Sequence, residues 1–168
     1  MGFADLTTRL RRDLTHSLSY ARGFRTGFDT SYELYDTFGY RITWRGDAAA
    51  ASGYTTYNRV EPSSDLSSPY TDWVSGVDVS FLLTRWITAF AMTSYTLRHN
   101  LDVSALTTEE ERRYDYATWV SRIGTSFALT RSIDFVTYYE HTRRSSDAST
   151  LQYVWDIFEA YLVYHHQF

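Results

Sequence analysis

The sequence predicts an all-β fold: an antiparallel up-and-down transmembrane β-barrel with about 8–10 strands in this chain. Three observations predict it. Apolar and polar residues alternate with period two through most of the chain. Several alternating segments run to about ten residues or longer, the length a tilted strand needs to cross a bilayer. The connections alternate between short turns and long polar loops, as in barrels with turns at one end and loops at the other.

The segments follow in order. Ala4 to Leu10 and Thr15 to Phe24 fit weaker strands. Phe38, Tyr40, Ile42 and Trp44 stand opposite Gly39, Arg41, Thr43 and Arg45, and Ala49 to Asn58 follows. From Trp73, one face reads Trp73, Ser75, Val77, Val79, Phe81, Leu83 and the other Val74, Gly76, Asp78, Ser80, Leu82. A helix would not segregate residues in this way. Ile87 to Leu97, Trp119 to Leu129 and Ile133 to His141 repeat the pattern, and a last segment carries Phe158, Ala160, Leu162, Tyr164, His166 and Phe168. That makes nine strands. No Pro/Gly-rich linker divides them, so residues 1–168 read as one domain.

An internal repeat supports the hairpin reading. Residues 73–85 recur at 119–131 with eight of thirteen positions identical, sharing Trp-Val-Ser, Ser-Phe and Leu-Thr-Arg. The spacing also resembles a propeller blade, but a blade would need four short strands and only two long ones fit.

Composition narrows the function classes. Aromatic residues make up 18% of the chain and there are only two prolines, which suits a pleated surface. Every one of the 16 basic residues is Arg, and the net charge is −4, so no basic tract recommends nucleic acid as a partner. Cysteine is absent, removing thiolate metal sites and Cys nucleophiles. His165 and His166 would face opposite sides of a strand, and Glu109 to Glu111 lack calcium-loop spacing. No cofactor or metal is therefore expected.

Phase assigns the candidate sites. Arg41, Asp78, Arg122, Asp134, Glu140 and Glu159 fall on the barrel interior, since an Arg facing lipid at midplane would cost roughly 2–4 kcal/mol. They would line a pore with selective charge, or pair into a plug. Gly76, Gly124, Ser80 and Ser126 favour an open interior; Phe90, Tyr138 and Tyr161 would fill one. Tyr40, Trp44, Trp73, Tyr95, Trp119, Trp155 and Tyr164 are expected near strand ends as an aromatic girdle, with sugar stacking as the alternative role. Arg25, Arg59, Arg98, Arg112, Arg113, Arg143 and Arg144 are read as loop arginines, suited to forked contacts with lipopolysaccharide phosphates. His141, Ser145, Ser146 and Asp147 cluster at one rim, where a lipid hydrolase would place a base and nucleophile. The spacing matches no hydrolase motif. A soluble lipocalin-like barrel would reverse the faces.

The end of the chain carries a resemblance. Phe158, Tyr161, Leu162 and Tyr164 lead to a terminal Phe168. This resembles the C-terminal signal that the barrel-assembly machinery reads in outer-membrane barrels, although His166 stands where an apolar residue is usual. Leu129-Thr130-Arg131-Ser132-Ile133, with Tyr138, Tyr139 and Arg143 to Ser146, is similar to strand-turn-strand phrases of putative-porin barrels, including those associated with exopolysaccharide export. The likeness covers most of residues 73–168. It implies the outer membrane of a Gram-negative bacterium, contact with outer-membrane lipid and lipopolysaccharide, and a pore or export conduit for polysaccharide or small polar solutes. A closed structural or adhesive barrel is the alternative, and an outer-leaflet lipid hydrolase a third. No catalytic motif comes with the likeness. It also implies that the last strand ends in the periplasm, so nine strands would start the first one outside. That departs from the even strand number of single-chain barrels. The expectation is a C-terminal part of a larger barrel, completed by an upstream segment or another chain.

Overall fold

The computed structural model describes residues 1–26, 32–63, 69–101, 115–146 and 151–165. They form nine strands: β1 (Gly2–Arg9), β2 (Leu14–Thr26), β3 (Tyr32–Arg45), β4 (Ala49–Pro62), β5 (Tyr70–Thr84), β6 (Ile87–Asn100), β7 (Tyr116–Ala128), β8 (Ile133–Ser146) and β9 (Tyr153–Tyr164). All pair antiparallel in chain order within one up-and-down sheet. Strands β2 to β9 are 12 to 15 residues long. At about 3.3 Å per residue β5 reaches roughly 50 Å, well beyond an ordinary globular strand.

Short turns join the strands at one end. Leu10 N–H donates to the Leu14 carbonyl, Gly46 N–H to that of Ala49, and Leu129 N–H to that of Ile133. Gly46 sits in this turn beneath the outer edge of the Trp44 ring, 2.9 Å from where a Cβ would lie. The longer connections lie at the opposite end.

The sheet does not close into a barrel by itself. β1 pairs only with β2 and β9 only with β8, and β1 and β9 make no contact among the described residues. The reason is partly topological. In an up-and-down sheet of nine strands the first and last run the same way, so direct pairing would make one parallel seam in an antiparallel wall.

Pairing register separates two faces. One carries Leu18, Phe38, Ile42, Trp73, Val77, Phe81, Ile123, Phe127, Phe135, Phe158 and Leu162, extending the sequence's odd–even split across the sheet. Many of these side chains are exposed: Phe158 73%, Leu162 65%, Ile123 63%. The other face carries most of the charges, while the ion pairs Arg22–Asp36, Arg59–Glu61 and His141–Asp156 lie on the apolar face toward the longer connections. Val60, Tyr70, Val136, Tyr138, Ser52, Asn100 and Thr142, the buried residues, all belong to the polar face. Its side chains reach over intervening strands, as when Arg25 on β2 donates to the Tyr70 hydroxyl on β5 at 2.8 Å. The best-packed side of the sheet is therefore polar and aromatic.

Candidate functional site on the polar face

Glycines let the polar face pack. A Cβ at Gly76 would meet the Tyr54 ring at 2.6 Å, and one at Gly124 would meet Tyr138 Cβ at 2.6 Å and the Phe90 ring at 2.7 Å. Without side chains at these positions, aromatic rings from neighbouring strands lie down over the backbone.

Over that floor runs a belt of charge. Register places Ser52, Asp78, Met92, Arg122 and Glu140 in one row across β4 to β8. Arg41 Nη1 donates to Ser52 Oγ at 3.0 Å, and Ser52 Oγ donates to Asp78 Oδ1 at 2.8 Å. Arg41 itself is 3.9 Å from Asp78. Arg122 donates through Nε and Nη2 to Glu140 Oε2, at 3.0 and 2.5 Å. Its guanidinium also lies over the Tyr138 ring, at 4.2 Å. The Tyr138 hydroxyl donates to Glu159. Asp134 Oδ2 is 3.1 Å from His165 Nε2. All six interior charges read from phase thus share this face, and each has a partner.

A second belt lies toward the loop end. Arg25 Nε donates to Glu33 Oε2 at 2.7 Å. Arg98 makes a forked bond to Asp72, 2.6 Å to each oxygen, and stacks on Tyr70 at 3.9 Å and Tyr116 at 5.1 Å. Arg144 stacks on Tyr116 at 3.8 Å and Tyr153 at 5.5 Å. Arginines and tyrosines therefore alternate across the sheet from β2 to β9. A recess of about 300 Å³ opens between Arg25, Tyr35, Asn58 and Asp72.

This second belt corrects the loop assignment. Arg25, Arg59, Arg98, Arg143 and Arg144 are strand residues. The alternation simply continues past the positions where the apolar pattern fades: Arg98 keeps the phase of Phe90 and Met92, and Arg144 that of Tyr138 and Glu140. Arg59 and Arg143 lie on the apolar face, Arg59 bound to Glu61 at 2.8 Å. Arg112 and Arg113 lie outside the described residues.

The aromatic set divides. Tyr40, Trp44, Trp73, Tyr95, Trp119 and Tyr164 are on the apolar face. Tyr40 and Tyr95 sit in mid-strand rather than near strand ends. Trp155 pairs with Thr142 and takes the polar face, so it leaves the girdle. Sequence reasoning missed the row Tyr20, Phe38, Tyr57 and Trp73, which crosses four neighbouring strands in register. Indole N–H groups on this face find local acceptors: Trp73 Nε1 donates to Ser75 Oγ at 3.0 Å, and Trp119 Nε1 to Thr93 Oγ1 at 2.6 Å. Leu162 and Tyr164 end β9 on the same face, and Phe168 lies outside the described residues.

Among the described residues, the rim cluster does not bring His141 to a serine. His141 Nδ1 faces Asp156 Oδ1 at 2.8 Å, Ser146 Oγ donates to the Asp115 carbonyl, and Ser145 lies four residues along the strand from His141, roughly 13 Å away. Asp147, His166 and Glu109 to Glu111 lie outside the described residues, among which no group of metal-ligating side chains occurs.

One carboxylate outside the strands is perturbed. Burial pushes Asp115 up, but the Asn100 backbone N–H (2.8 Å) and His99 Nδ1 (2.5 Å) outweigh it and hold the carboxyl below its ordinary value.

Comparison with protein-family models, curated proteins and solved structures finds no match for this chain.

Proposed function

We propose that this sheet is part of the wall of a transmembrane β-barrel in a bacterial outer membrane, and that its polar face lines a passage for polar solutes. The observation that carries the reading is the separation of faces. Exposed aromatic and aliphatic side chains spread across one side, and both belts of charge occupy the other. Apolar surface of this breadth is foreign to a soluble monomer. A soluble barrel with a ligand cavity would enclose its apolar side, and here the buried residues belong to the polar side. Lipid is the solvent that suits the exposed face.

The two free edges fit a wall completed elsewhere. An all-antiparallel closed wall needs an odd number of further strands, from another segment or another chain. The resemblance to putative-porin barrels motivates the outer membrane as the location and polysaccharide or small polar solutes as cargo.

A second reading has its own support. The six charges of the first belt all have partners, and aromatic side chains cover Gly76 and Gly124, which suits a closed structural barrel. Planar-bilayer conductance of detergent-refolded protein separates the two. Stable current steps whose ion selectivity shifts in Asp78→Asn or Arg122→Gln support the passage. Silent bilayers from protein with heat-modifiable gel migration favour the closed wall. Protein that stays in solution without detergent would count against both.

A further inference from the structure

We propose that Arg144 binds an oxyanion, the carboxylate or phosphate group of a polar solute, at the loop end of the polar face. The inference deepens the proposed function, resting on its premise that this face meets aqueous solution, though not on conduction. Arg144 differs from its neighbours in the belt. Arg25 holds Glu33 and Arg98 holds Asp72. Among the described residues Arg144 has no carboxylate within ion-pair distance. Nearby acids are engaged: Glu140 holds Arg122, Asp115 takes His99 and the Asn100 amide, and Asp156 is on the opposite face with Tyr139 and His141.

The Arg144 Nε is moreover buried without a hydrogen-bond acceptor among the described residues. Buried polar atoms nearly always have partners, and a charged group without one is costly. The site therefore holds a cation that no carboxylate among the described residues neutralises.

Its geometry suits the task. The guanidinium carbon lies 3.8 Å from the Tyr116 ring and 5.5 Å from that of Tyr153, contacts that narrow its freedom before a ligand arrives. Preorganisation of this kind lowers the ordering cost of binding. A planar guanidinium offers forked donors matched to carboxylate or phosphate oxygens. Tyr153 is 40% exposed, and Thr118 stands directly opposite Arg144 on β7, so the approach is polar on one side and aromatic on the other.

The test uses the full chain folded in micelles of an uncharged detergent, with inorganic phosphate and acetate as separate probes. The readout is the ¹H–¹⁵N resonance of Arg144 Nε, assigned by its disappearance in Arg144→Gln, together with calorimetric binding. A saturable shift with at least one probe is expected, and which probe saturates assigns phosphate or carboxylate. Binding should weaken tenfold or more in Arg144→Gln and several-fold in Tyr153→Leu, whose exposed ring makes it a mild change. Arg59→Gln, on the other face, should bind like the parent. The proposal fails if folded parent protein shows no saturable response to either probe, or if Arg144→Gln binds as tightly as the parent. Circular dichroism and heat-modifiable migration establish folding for each variant. Should Arg144→Gln not fold, an unchanged affinity in Tyr153→Leu and Arg144→Lys together would also overturn it. Bound anion in a protein with silent bilayers would sink the passage and leave this site standing.

Discussion

At the scale of single residues, the polar face is specified by pairs and by missing side chains. Arg122 and Glu140 are 32% and 16% exposed, so their forked bond is partly shielded from water. Glu140→Gln should destabilise the folded protein by about 1.5–3 kcal/mol, the range for a hydrogen bond to a charged group. Urea unfolding in detergent would measure it, and Arg122→Met with Glu140→Gln together should cost less than the sum of the two single changes. An additive result would mean that the pair is not coupled. The glycines make a sharper contrast. Gly124→Val would drive a side chain into Tyr138, Phe90 and the Thr137 carbonyl, and overpacking of that kind costs about 1–3 kcal/mol. Gly53→Ala meets only Ile42 Cγ2 at 3.7 Å and should change stability little. Equal unfolding midpoints for the two variants would contradict the packing described for Gly124.

At the scale of strands, period two is readable wherever one face is apolar and the other is not. Strands β5 and β7 have that contrast, and their faces follow directly from residues 73–83 and 119–129. Contrast fails at the loop ends, where Arg98 and Arg144 continue the phase without apolar neighbours to mark it. It fails again in β9, where Trp155, Ile157, Tyr161 and Val163 are as apolar as the face opposite. Alternation there does not tell which face Trp155 takes, and only its pairing with Thr142 does. Stacking of Arg144 between rings on β7 and β9 depends on register between strands, which composition does not encode. Strand ends also depend on connections, and Asp115 offers a test. Its carboxyl ties the start of β7 to the end of β6 through the Asn100 amide. Because its folded value lies below the ordinary 3.8, the tie adds stability above that value and loses it as pH falls through the folded one. Protection of the Asn100 amide against hydrogen exchange, corrected for intrinsic rate, should therefore drop in this acid range. Asp115→Asn should lower protection already at neutral pH and remove this dependence. Pre-acid protection unchanged in Asp115→Asn would show that the tie carries no stability.

At the scale of the molecule, the question is how nine strands with two free edges sit in a wall. β1 has eight residues and β9 twelve, and each exposes large apolar groups: Leu6 is 62% exposed on β1, and Phe158 73% on β9. Strand edges left open are usually blunted by charge, proline or a bulge, because unpaired backbone groups recruit other strands. β9 has no Pro, Lys or Arg in its 12 residues, and its two acids, Asp156 and Glu159, are bound by Tyr139 and Tyr138 of β8. An edge of that composition is suited to pairing, and parity says with what. β1 and β9 run in the same direction, so their direct union would be parallel, whereas an odd number of inserted strands keeps the wall antiparallel throughout. The chain has no cysteine, so single labels can be introduced cleanly. Ala4→Cys on β1 and Ala160→Cys on β9 place spin labels on small apolar-face residues at the two edges. Eight inter-strand spacings of about 4.8 Å separate the edges along the sheet, roughly 38 Å before curvature shortens the chord. In detergent-folded protein the label separation should exceed about 20 Å, leaving room for further strands between the edges. A narrow distribution near 10 Å would mean that the chain closes on itself through a parallel seam, and the odd-strand completion would have to be abandoned.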